Sequence, residues 1–461
     1  VLIHPILTGQ SKMPFDNSIF NAHTNYGPKE ALEGVEQEIA VQASVECFNE
    51  LQEYSSDLDR MERVAGSLED LAIVAENVGT AKLTDAAFVH VAMDLATAGT
   101  NVSAEDLVPA VEDIEGSTIS TEGIREVASS VWEAIKRALK AMWKKVKEFW
   151  RKLTSAIPGL KKAAAKLQKR ASDSVSKTTE ESKVELGREV NTLAVDHVAP
   201  KNGSDINTSL GKLSEVCEGL FDDFTRELPK AGEIIADAIG EVDPLDRNTA
   251  GGAILVTLAT GLIKLNPPIH FKGLTTIKGD KRFPIKDGTG GVETLPLPGN
   301  MSLFAYTTIL PNRNNDDLQL VADILRRSKV EIKNTREKPK DAIDSADINV
   351  IPPETCISIA ETITDICEFL ERHEKSKNFD KIEKAKERME KASDSLDKSL
   401  RSAEKDDKFN RADKPVINSI IGFNKAFAQW ATTPQAQLSS HAVAVCRAAI
   451  VACNKSLSLY K

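Results

Sequence analysis

Apolar residues recur every three or four positions along most of this chain, a spacing that predicts amphipathic helices. Leu32, Val35, Ile39, Ala43, Cys47 and Leu51 form one such seam. Met61, Val64, Leu68, Leu71, Ala75 and Val78 form another, with Gly79 as its stop. A shorter helix carries Phe88, Val91 and Leu95. The next starts at Ser103, with Glu105 and Asp106 where acidic groups suit the helix dipole. Ser120 then caps a much longer element whose seam reads Ala128, Val131, Ile135, Ala138, Met142, Val146, Phe149 and Leu153. "IPG" at Ile157–Gly159 is expected to break it, because proline lacks a donor and its ring clashes with the preceding turn. A second basic, Ala-rich helix follows in "LKKAAAKLQKRA". The polar "SDSVSKTTEESK" around Ser172–Lys183 reads as a linker or a frayed helix.

The period changes between about Asn266 and Arg313. Pro, Gly, Thr and Ile dominate there in short alternating runs, which predicts three or four short strands in a small inserted element. Helical spacing returns over Asp317–Arg327, Glu354–Glu371 and Phe379–Glu404, then around Pro415–Trp430 and Gln435–Leu457. The expected fold is mainly α, with multi-helical bundles and a small inserted β-element. Its expected divisions are an extended arm over 1–28, an N-terminal helical domain with the long basic helix over 29–200, a helical connector over 201–265, the β-rich element over 266–313 and a C-terminal helical domain over 314–461.

Composition agrees with this pattern: aromatics make up only 5% of the 461 residues, fewer than a β-sandwich would want. The six cysteines contain no C-x-x-C pair. Cys356/Cys367 and Cys446/Cys453 each share one helical face, which reads as small core residues of a protein made in a reducing compartment. No apolar run reaches the ~18 residues of a spanning helix. The longest, "AGGAILVTLATGLI" at Ala250–Ile263, reads as a buried segment.

Enzyme motifs are scarce, with no P-loop, nucleophile elbow, H-E-x-x-H or well-placed dinucleotide fingerprint. "DGTGG" at Asp287–Gly291 lacks a following helix and a suitably placed lysine, so it reads as a hairpin turn. The seven histidines are dispersed. His373, beside Glu371 and Glu374, reads as part of a solvated helix face. The sequence therefore predicts no catalytic residue, no metal site and no cofactor.

Charge is where the chain departs from the ordinary. Its net charge is −10, yet from Val131 to Arg170 thirteen Lys or Arg face two Glu, a net of +11, so the remainder sums to −21. In the long helix, Arg137, Lys140, Lys144, Lys147 and Arg151 fall at steps of three and four and make one cationic stripe. Trp132, Trp143 and Trp150 each follow a seam residue and edge the apolar face. Three readings fit: a bundle helix with solvated lysines, contact with nucleic-acid phosphates, or contact with a membrane surface.

The passage from about Val35 to Arg170 adds a further pointer. "DRMERVAGSLEDLAIVAENVG", then "KLTDAAFVHVAMDLATAGTNVSAEDLVPAVED", then "STISTEGIREVASSVWEAIKRALKAMWKKVKEFWRKL" resembles the internal head, or virion structural, proteins of large tailed bacteriophages. The resemblance covers about a third of the chain, and Ile119–Glu126 leading into the basic helix is its most specific part. It implies a non-enzymatic component of the virion, packaged inside the head or lining it. It further implies contact with other virion proteins, contact with packaged double-stranded DNA, ejection with the genome, and trimming by a head-maturation protease, which a chain starting at Val1 fits. The competing expectation is a membrane-active helical protein, a toxin or an ejected protein, working through the Trp/Lys-rich helix. Oligomerisation is compatible with either.

Overall fold

The computed structural model describes residues 144, 157–240, 274–277, 290–307, 330–334, 343, 345–375, 377–405, 427, 430–431 and 433–461. Of the described part 69% is helical, with the few strands gathered in small sheets, so the fold is mainly α with small β elements. The expected arm over 1–28, the helices expected between Leu32 and Leu153 apart from Lys144, the Ala250–Ile263 segment and the helix over Asp317–Arg327 lie outside the described residues.

In chain order the helices are α1 (residues 157–172), α2 (Glu189–Leu193), α3 (Gly203–Glu218), α4 (Thr225–Gly240), α5 (Pro353–Lys375), α6 (Asn378–Lys405) and α7 (Thr433–Leu457). The strands are β1 (Lys183–Leu186), β2 (Thr275–Ile277), β3 (Gly290–Glu293), β4 (Met301–Thr307), β5 (Val330–Asn334) and β6 (Ala346–Asn349). A π-helical turn, Gly219–Phe224, joins α3 to α4 without a break. The Thr225 N–H donates to the Leu220 carbonyl five residues back, and the Thr225 hydroxyl donates to the same oxygen at 2.6 Å. The wider turn brings Leu220, Phe221 and Phe224 into the core together.

Two helical rods organise the molecule: α3 with α4, and α5 with α6. Thr362 donates to Asn207 at 3.2 Å, Arg372 to Asp222 at 3.3 Å and Arg388 to Asp237 at 2.6 Å. These partners are 155, 150 and 151 residues apart, and so nearly constant a separation means that the rods run parallel. Close approach is possible because Gly203 and Gly232 lie at the contact. A β-carbon at Gly232 would stand 2.8 Å from the Phe427 ring and 2.9 Å from Ala385. One at Gly203 would collide with Ile351.

Helix α7 packs against α3, α5 and the π-helical turn between α3 and α4. Nineteen of its 25 residues are buried, with small Ala, Ser and Cys side chains admitting its neighbours closely. It runs opposite to the rods: Gln435 near its start donates to Thr225, and Ser456 near its end accepts from the Ile351 N–H at 3.2 Å. By length and composition α7 is apolar enough to cross a membrane, but 78% of the relevant window is buried inside the protein. A helix apolar on every side is a core helix when its neighbours cover it.

Strands β2 to β5 form a four-stranded antiparallel sheet in chain order, with Val292 opposite Ala305 and Leu303 opposite Ile332. Three of these strands fall in the span expected to be β-rich, while β5 lies beyond it. Gly290 and Gly291 of the expected turn are paired residues of β3. Gln437 of α7 accepts from the Ile332 N–H at 2.8 Å and so caps the edge strand β5. A second sheet pairs β1 with β6, setting Val184 opposite Ile348. The polar stretch before β1 is turn and extended chain, not frayed helix. Contacts cross the expected divisions at 200 and 313, since α1 packs on α5 and α7.

Candidate nucleic-acid interface

Helix α1 carries the described end of the basic block. Ile157, Leu160, Ala164, Leu167 and Ala171 recur at steps of three and four, and none is more than 3% exposed. Ile157, Pro158 and Gly159, expected to break the preceding helix, are themselves helical. The helix runs antiparallel to α5, as two contacts show: Lys161 pairs with Glu371 at 3.0 Å, and Gln168 donates to Glu361 at 3.3 Å. Arg170 donates to Asn454 of α7 at 3.1 Å. Part of the positive charge is thus spent on docking α1 to its neighbours. Lys162 and Lys169, on the opposite face, are exposed.

Of the residues expected to form the working surface, Lys144 is described, and it is helical and exposed. Arg137, Lys140, Lys147, Arg151, Trp132, Trp143 and Trp150 lie outside the described residues.

A second polar grouping lies between α2 and the start of α7. Asp196 and His197 both adopt left-handed backbone, with φ of 54° and 62°, and reverse the chain between Val195 and Val198. Gly299 and Asn300 form a second left-handed pair, with φ of 71° and 58°. The two turns dock: the His197 N–H donates to the Asn300 side chain at 2.6 Å, and the Asn300 N–H to the Ala194 carbonyl at 3.2 Å. His441 packs under Gly299 and donates to the Pro298 carbonyl, while its Nε2 is enclosed. Burial outweighs that hydrogen bond and lowers the imidazole to about 4, so the ring is neutral at pH 7. Sequence reading did not single out this grouping. The Gly-Asn step was its one legible signal, because such steps favour left-handed turns. Its groups serve turn packing and bring no nucleophile together with a base.

The five described cysteines are free and buried. Because α5 and α7 run in opposite directions, the two pairs seen in the sequence meet crosswise. The Cys356 and Cys453 thiols hydrogen-bond, and Cys446 neighbours Cys367 and Cys217. Burial pushes Cys367 up to about 12 and Cys217 and Cys446 well above the ordinary thiol range, so these thiols are not nucleophiles. No group of His, Cys, Asp or Glu among the described residues has a metal-binding arrangement.

Comparison with known proteins gives one finding. The model of a family described as phiKZ-like phage internal head proteins matches residues 30–455. No curated protein and no solved structure matches the chain.

Proposed function

We infer the function from two facts taken together, the first being that this chain belongs to the phiKZ-like phage internal head proteins. It is a structural protein of the phage head interior and associates with other virion components. The second fact is the segregation of charge, +11 over forty residues of an otherwise acidic chain. We propose that the protein is non-enzymatic, that its helical surfaces make its contacts with other virion proteins, and that its cationic stripe touches packaged DNA.

The observation that carries the DNA contact is the spacing of Arg137, Lys140, Lys144, Lys147 and Arg151 at steps of three and four, which predicts one helical stripe. A linear row of cations suits a phosphate backbone, and binding of this kind weakens steeply with salt. The acidic remainder of the surface keeps such contact local. Neutralising all five residues should leave the fold intact and abolish retention of the protein on double-stranded DNA at low salt. Unchanged retention would mean that the stripe is merely solvated.

The tryptophans favour a second reading, in which the same helix engages a membrane on ejection. Trp132, Trp143 and Trp150 would then shift to bluer emission on adding anionic liposomes and not on adding DNA.

A further inference from the structure

The basic block does not stop at Arg151. On α1, Lys162, Lys166 and Lys169 follow at steps of four and three, which confines them to an arc of about 60° at 100° per residue. The centre of that arc lies opposite the buried row from Ile157 to Ala171. Lys162 and Lys169 are exposed and have no acidic partner among the described residues, whereas Lys166, between them, is half-buried and engages a neighbour. The inner edge of α1 differs in kind, since Lys161 is neutralised by Glu371 and Arg170 is bonded to Asn454. Cations turned inward are thus paired, and two of those turned outward are not.

Upstream, Lys144 is likewise helical and exposed. The other exposed residues of α1, Pro158, Ala165 and Ser172, offer little for reading base edges.

We propose that the outward face of α1, carried by Lys162 and Lys169 with Lys166 between them, docks on the phosphate backbone of double-stranded DNA. This rests on the function proposed above. Charge complementarity favours DNA as the occupant. The seven-residue rise from Lys162 to Lys169 is about 10 Å, or about three phosphate steps of one strand. The rest of α1 is fixed to the core by its buried row and its pairs with α5 and α7, so the face is presented ready-made. Binding here is independent of DNA sequence.

The test uses the full chain and a linear duplex of mixed sequence, with affinity measured across a salt series. Lys162→Gln with Lys169→Gln should leave the thermal transition unchanged and lower the slope of log affinity against log salt by about 1.8, two phosphate contacts at ~0.9 each. Lys161→Gln, which breaks only an internal pair, should leave that slope unchanged. If the double variant keeps the parent slope while the five-residue stripe variant loses binding, the α1 face is rejected and the proposed function stands. If the parent chain does not bind DNA at low salt, the proposed function itself fails. Loss of salt-sensitive self-association or of anionic-vesicle binding in the double variant, with an unchanged DNA slope, overturns the choice of occupant.

Discussion

Gly232 lies in the middle of α4, against Ala385 of α6 and the Phe427 ring, and replacing it by alanine tests that packing directly. In an isolated helix the change would stabilise by about 0.5–1 kcal/mol, because alanine loses less backbone freedom on folding. Here the new β-carbon would stand 2.8 and 2.9 Å from two atoms of the Phe427 ring and 2.9 Å from the Ala385 β-carbon. Carbon contacts prefer about 3.5–4.0 Å, so either the rods must part by several tenths of an ångström or the ring must leave its site. Overpacking of this kind costs about 1–3 kcal/mol, which leaves a net destabilisation of up to about 2.5 kcal/mol after the helix gain. Gly211 is the control, a helix glycine of α3 with no atom within 4 Å of the added carbon, where Ala should stabilise by about 0.5–1 kcal/mol. Urea titrations of the two variants, followed by helical ellipticity, should move the midpoint in opposite directions. Hydrogen exchange should place the Gly232→Ala loss in α4 and α6. A Gly232→Ala midpoint at or above the parent value would refute the parallel close contact.

Other expectations concern groups the fold has buried. His441 has a folded value of about 4 against an ordinary 6.5, so the unfolded chain binds the extra proton as acid is added. Its contribution is complete above pH 6.5 and is lost as pH falls toward 4. The full loss is on the order of 3 kcal/mol. Unfolding of the parent and of His441→Asn, compared at each pH, should show a difference that shrinks over that window; a constant difference would refute it. Gln437→Ala removes the cap on the Ile332 N–H, at a cost of about 1 kcal/mol, and should speed exchange of that amide before any neighbour in β4. A thiol reagent should label at most one of the six cysteines in the native chain, Cys47 being the one outside the described residues, and all six after unfolding.

The sequence by itself determined the course of α5, α6 and α7. In α5 and α6 a seam of Ile, Leu, Met and Ala spaced at helical steps is a local property, and the expected spans over Glu354–Glu371 and Phe379–Glu404 fall within the observed Pro353–Lys375 and Asn378–Lys405. The segregation of charge was equally legible, since it needs only counting, and so was the family resemblance carried by the passage before Arg170. Tertiary structure alone decided the pairings. Strands β1 and β6 are four residues each, too short to show a period, and the Lys183 side chain meets Asn349 across 166 residues. The parallel course of the rods depends on contacts about 150 residues apart, which no local pattern encodes. The shared face of Cys446 and Cys453 was visible in their spacing, but that it meets Cys356 and Cys367 depends on α7 running opposite to α5. The same holds for the lysines of the basic block: spacing put them on a helix, and only the neighbours of α1 separated those spent on Glu371 from those left facing water. Helical periodicity arises within a few turns of one segment, whereas pairing, burial and the pairing of charge arise between segments that the chain keeps far apart.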